Sequence, residues 1–151
     1  MKSIKLENGS IVRVFNLLQN LSLKGQASRG RTKFQKRIQE KEEEYILEKQ
    51  EIQRKYIQLD EIGEFIVLED GVSSPLRDDL TKEEKEKFLE LLEELKKDTF
   101  EISFTEYSSK FEAVFEALDN LEMELSGDDA AAYDELMDAY EANEDKKEEE
   151  K

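Results

Sequence analysis

The sequence predicts a mostly α-helical domain: a long central helix, an antiparallel helical bundle, a small two-stranded β element, and an acidic disordered tail. Three observations lead there. Charged residues make up 41% of the chain, mean hydropathy is -0.80 and there is one proline, a composition that suits long helices with narrow apolar stripes better than a thick sheet core. Apolar residues recur three and four positions apart through most of the chain. Near 65–68 and 100–104 that spacing turns compact or alternating, as strands require. A chain of 151 residues is the size of one domain and buries roughly two thirds of its surface on folding. The expected domain is 1–143, with a basic part over 1–37 and an acidic helical part over 77–143.

Ile4 to Leu6 reads as a short strand. Asn8 or Ser10 then caps a helix to about Leu23, with Ile11, Val14, Phe15, Leu18 and Leu21 on one face. Gly25 stands where a left-handed residue closes a helix. The long helix is expected over about 28–59. Phe34, Ile38, Tyr45, Ile52, Tyr56 and Leu59 fall on one arc of it, a narrow seam of coiled-coil type interrupted by Lys41 and Glu48.

Gly63 and Gly71 bracket Phe65-Ile-Val-Leu68, which reads as a strand or hairpin. Thr81 to Glu84 is a capping box opening a helix to about Lys97, with Phe88, Leu91, Leu92 and Leu95 inward. Phe100, Ile102 and Phe104 alternate as a strand able to pair with 65–68. A helix over 105–125 follows, on Tyr107, Phe111, Val114, Phe115, Leu118, Leu121 and Leu125. Asp128 caps a last one to about Ala142, with Ala132, Tyr133, Leu136, Met137 and Tyr140 inward. Residues 144–151 carry nothing to bury and are expected as the disordered tail.

Composition excludes much chemistry. Without His, Cys or Trp there is no imidazole base, thiol nucleophile, disulfide or Cys/His zinc site. Asp128-Asp129 and Asp78-Asp79 read as caps and turns rather than magnesium ligands, and Asp119 to Gly127 lacks the order of ligands of a calcium loop. The expectation is no enzymatic activity and no cofactor. No apolar run approaches the ~18 residues of a membrane span, and no secretory signal opens the chain, so the expected location is cytoplasmic, without membrane contact.

Charge is unevenly placed. Residues 1–37 carry nine Lys or Arg against one acid, net +8, and residues 38–151 carry 14 basic against 38 acidic side chains, net -24. Gly25 to Thr32, GQASRGRT, lies in the basic part and is one residue away from a phosphate-binding loop. Such a loop needs a preceding buried strand and a lysine; here a helix precedes and Arg31 replaces the lysine, which argues against a nucleotide site. Arg29, Arg31 and Lys33 nevertheless stand at the positive end of a helix, so something negative is expected beside them. The candidates are the acidic half of the chain, a protein partner, or nucleic-acid phosphates held by Lys24, Arg29, Arg31, Lys33, Lys36 and Arg37 with Phe34 stacking on a base.

The acidic helices offer the converse. Glu83, Glu86, Glu90 and Glu94 share one helix face within roughly 80°, opposite the leucines, and Asp134, Asp138, Glu141 and Asp145 repeat the pattern. Each row sets four carboxylates along roughly 17 Å, about one per 5 or 6 Å against one phosphate per ~3.4 Å along a DNA strand, so that two or three such rows side by side would approximate the charge of a duplex groove edge. These eight residues are the candidate contacts to a protein with a basic surface.

The segment KLENGSIVRVFNLLQNLSLKGQASRGRTKF, with its L-x-N-G opening, leucine-rich helix and L-K-G-x-x-S-R-x-R stretch before a long charged helix, resembles an uncharacterised family of small proteins encoded by phages and prophages of Gram-positive bacteria. The resemblance covers residues 4–60. It implies a phage product working inside a bacterium, with no assigned activity and no catalytic residues to carry over. By analogy, such small acidic proteins act by binding. The leading expectation is an inhibitor of a host nucleic-acid-handling or defence complex, such as a CRISPR-type effector, acting as a nucleic-acid mimic. The alternatives are a virion or assembly-accessory protein working through its long helix, possible as a homo-oligomer, and a nucleic-acid binder using residues 24–37.

Overall fold

A computed structural model describes residues 2–66 and 75–149, the last six by backbone alone. The described chain is mostly helical, with five α-helices and one two-stranded antiparallel sheet. In order these are β1 (Ser3–Glu7), α1 (Ile11–Asn20, entered through a 3-10 turn), α2 (Gly25–Tyr56), α3 (Lys82–Lys97), β2 (Thr99–Ser103), α4 (Ser108–Asp119) and α5 (Gly127–Glu149). The chain divides into two compact units, Met1–Glu42 with Asp98–Lys151, and Glu43–Lys97. The 32-residue α2, about 48 Å long, runs through both.

In the first unit the strand partner differs from the expected one. β2 pairs with β1, Ile4 opposite Ile102 and Leu6 opposite Phe100; of the expected partner 65–68, Phe65 bridges Leu59 instead, and Val67 and Leu68 lie outside the described residues. The pairing follows from the alternation of both strands, which turns Ile4, Leu6, Phe100 and Ile102 inward and leaves Lys5, Glu7, Thr99, Glu101 and Ser103 exposed. Around that inner face packs an aromatic cluster. Phe34 stands edge-on to Phe111 and Phe115 at 5.3 and 5.9 Å between centroids, and the Phe115 and Tyr140 rings stack at 4.6 Å, arrangements the ring quadrupoles favour. Ile11, Val14, Leu17 and Leu18 of α1, and Ala132, Leu136 and Met137 of α5, complete the core.

Helix ends fall where polar partners take up the groups a helix leaves unbonded. α1 stops at Asn20 rather than Leu23, because Leu21 turns extended at ψ 142°. Gly25 has φ +53°, the conformation expected of it, but as the entrance to α2 rather than the close of α1; the Lys24 carbonyl accepts from the Ala27 and Ser28 amides at 3.2 and 3.4 Å. α4 is shorter than 105–125: the Asn120 side chain donates to the Glu116 carbonyl at 2.9 Å and the Tyr133 hydroxyl to the Leu118 carbonyl at 2.7 Å, which closes the helix at Asp119. α5 continues by its backbone to Glu149, past the point at which the sequence predicts a tail.

The second unit holds the end of α2, α3 and the chain between. Tyr56 packs on Phe88 at 5.2 Å, and Ile57, Leu80, Phe88 and Leu95 are buried. Of the seam, Phe34 and Ile38 are core residues of the first unit, Tyr45, Ile52 and Tyr56 are half-buried, and Leu59 is exposed. Leu59 lies past the helix end, where isolated bridges join Ile57 to Leu76 and Leu59 to Phe65. The turn between is held by the Asp60 carboxylate, which accepts from the Ile62 and Glu64 amides at 3.0 and 2.9 Å. Thr81 caps α3 as expected: its hydroxyl accepts from the Glu84 amide at 3.1 Å and the Glu84 carboxylate accepts from the Thr81 amide at 3.2 Å.

Candidate functional site

Three of the six candidate bases of the basic segment are engaged by the fold. Arg31 reaches back to the C-terminal end of α1 and donates to the Leu18 carbonyl at 3.4 Å and to the Leu21 carbonyl. The negative group beside it is therefore a helix end, where unbonded carbonyls carry partial negative charge. Lys33 sits 4.6 Å over the Tyr107 ring, and Arg37 pairs with Glu106 at 3.1 Å. Lys24, Arg29 and Lys36 are exposed and, among the described residues, form no ion pair. Phe34 is 1% exposed and inside the aromatic cluster, so the expected stacking on a base is replaced by edge-on packing within the core.

Glycine completes the account of the GQASRGRT stretch. A Cβ at Gly30 would fall on the Lys110 carbonyl oxygen and lie 2.8 Å from Val114 Cγ2. Only a residue without a side chain lets α2 and α4 approach so closely. Gly25 supplies a left-handed φ, Ala27 is buried, Gly30 makes the helix contact and Arg31 caps α1. Both glycines and the arginine of the phosphate-loop pattern thus have a structural task.

Within the first unit, three bases from the N-terminal part meet acids from the C-terminal part: Lys2 with Glu112 at 2.6 Å, Arg13 with Glu135, and Arg37 with Glu106. Burial pushes the Glu135 carboxyl up, but hydrogen bonds from Arg13 and Ser10 and the Arg13 charge together outweigh it and hold the group below its usual range. Arg13 is raised in turn by its hydrogen bond to Glu135. At Lys2, burial lowers the pKa, and the hydrogen bonds and charge of Glu112 and Tyr140 raise it by more. Burial, then Glu112, raises Tyr140. No sequence spacing pointed to these pairs, since their partners lie more than 60 residues apart.

The acidic rows present the opposite picture. Glu83, Glu86, Glu90 and Glu94 are all exposed on α3, on the face away from buried Phe88 and Leu95. Glu90 has Lys87 at 4.0 Å; among the described residues the other three form no ion pair. On α5, Asp134, Asp138 and Glu141 are exposed and likewise unpaired among the described residues, and the side chain of Asp145 lies outside them. An exposed carboxylate row keeps its hydration until a partner arrives, and attracts basic surfaces over a Debye length of about 8 Å at physiological salt. The α3 row belongs to the second unit and the α5 row to the first.

Among the described residues no group of three or more acidic side chains is placed to hold a metal ion, and no helix is long and apolar enough to cross a membrane. Comparison with protein-family models, with curated proteins and with solved structures finds no match to this chain.

Proposed function

We propose that this protein is a non-enzymatic, phage-encoded interaction protein that inhibits a host nucleic-acid-handling or defence complex, such as a CRISPR-type effector, in the cytoplasm of a bacterium. Its acidic helix faces, led by Glu83, Glu86, Glu90 and Glu94, bind the basic surface on which that complex holds nucleic acid. One observation carries the reading. The N-terminal bases are in part consumed by internal pairs and a helix cap, whereas the α3 row is exposed and three of its four members are unpaired among the described residues. Reversing all four to lysine tests it, with folding checked by circular dichroism. The native protein, immobilised in extract of a Gram-positive host, is expected to retain nucleic-acid-binding proteins that added duplex DNA displaces. If the reversed variant retains the same proteins, the reading fails.

A second reading, an assembly-accessory protein working through α2, is supported by Ile46 and Leu47, which are 44% and 63% exposed on that helix. Substituting both by serine would then dissolve a complex with phage proteins while the acidic row hardly mattered. Ile38 cannot serve in that test, since it is fully buried in the first unit.

A further inference from the structure

The small sheet has two outer edges, and its register determines which residues face them. Phe104 donates its backbone N–H to the Lys2 carbonyl at 3.0 Å and Asn8 donates to the Asp98 carbonyl at 2.8 Å. Directly opposed residues of an antiparallel ladder alternate between bonded and non-bonded pairs. The bonded pairs are therefore Ile4 with Ile102 and Leu6 with Phe100, and Ser3, Lys5, Glu7, Thr99, Glu101 and Ser103 turn their backbone groups outward.

The two edges differ. On the β1 side, α5 comes to the edge: the Ser3 N–H donates to Asn143 Oδ1 at 3.3 Å, and Asn143 Nδ2 donates to the Ser3 carbonyl. One side-chain amide thus takes the place of a neighbouring strand. On the β2 side, no group of the described residues reaches the outward N–H or carbonyl of Glu101. A groove of about 210 Å³ is lined by Glu101 and Ser103 of β2, by Glu106, and by Arg37, Glu40 and Lys41 of α2. An open strand edge is a template for another strand.

We propose that the outer edge of β2 accepts an extended segment of a partner protein as a third strand, with a lysine or arginine of that segment opposite Glu101. Charge selects this occupant. Glu101 is exposed and forms no ion pair among the described residues, and Glu40 and Glu106 stand on the same groove. Arg37 there is already engaged with Glu106 and Glu40; with Lys41 counted, the groove carries three acids against two bases, and the one base directly opposite Glu101 is Lys5, on the β1 side. A second copy of the chain fits poorly, because antiparallel pairing of β2 with itself about Glu101 sets two glutamates directly opposite, an arrangement that destabilises a sheet. The inference does not depend on the α3 row.

The test uses the full chain and the capped peptide acetyl-Thr-Val-Lys-Val-Thr-amide, followed by the backbone amide resonances of the protein. Binding is expected to shift the Glu101 amide and slow its hydrogen exchange. A peptide with glutamate in place of lysine is expected to bind at least about threefold more weakly. Glu101→Pro removes an N–H that the β1–β2 ladder does not use, a substitution edge strands tolerate, and should abolish binding. Glu101→Lys, which leaves the backbone intact, should reverse the preference between the two peptides. A Glu101 amide unmoved at saturating peptide, no binding of either peptide, or unchanged peptide preference in Glu101→Lys would overturn the proposal.

Discussion

Gly30 and Arg31 show how far residue-level reasoning reaches. Glycine inside a helix costs about 1 kcal/mol against alanine, so Gly30 must be held there by contact; Gly30→Ala should lower stability by about 1 kcal/mol or more, because overpacking against the Lys110 carbonyl outweighs the propensity gain. A rise in the urea midpoint would contradict this. Arg31→Ala should cost about 1 kcal/mol through the lost cap on α1, measured the same way. For Glu135 the sign is set by its lowered pKa. The stability it contributes is present above the ordinary glutamate value of 4.5 and is lost as pH falls through the folded value. In Glu135→Gln that part of the acid loss of thermal midpoint should vanish. Lys2 and Tyr140 are both raised, so their contribution holds below about pH 10 and is lost on the alkaline side as pH rises through the folded values. Sequence spacing located Gly25, Gly30 and Arg31 as unusual. It could not say that their partners were Lys110 and the end of α1, since those contacts form only on packing.

At the scale of elements, local rules were legible and long-range ones were not. The Thr81 capping box is a signal complete within four residues, and it formed as read; Thr81→Ala should destabilise by about 1 kcal/mol, visible as a lower midpoint with α3 otherwise unchanged. The helix over 105–125 ended early because Tyr133, 15 residues away from Leu118, supplies the closing hydrogen bond. Strand alternation was visible at Phe100 and Ile102, but the choice of β1 as partner depends on a loop closure of nearly 100 residues that no local pattern encodes. The α2 seam was legible as a line of apolar residues. Its division, buried at Phe34 and Ile38 and half-buried from Tyr45 onward, reflects which neighbours each stretch meets. The α3 row, in contrast, could be read almost entirely from sequence, because an exposed face needs no partner within the fold.

Across the whole molecule, charge is the organising quantity. A net charge of -16 remains after the internal pairs of Lys2, Arg13 and Arg37, and among the described residues the acidic rows of α3 and α5 present part of it on exposed helix faces. Long-range attraction between such faces and a basic surface is screened by salt, and gives binding its speed and specificity more than its raw strength. The measurement that tests this most directly is the affinity of the native protein for the complex it retains, across roughly 50 to 500 mM salt, beside the variant with Glu83, Glu86, Glu90 and Glu94 reversed to lysine. The account predicts a steep loss of native affinity with salt and little binding by the variant at any concentration. A flat salt dependence, with the variant binding as tightly as the native chain, would contradict it.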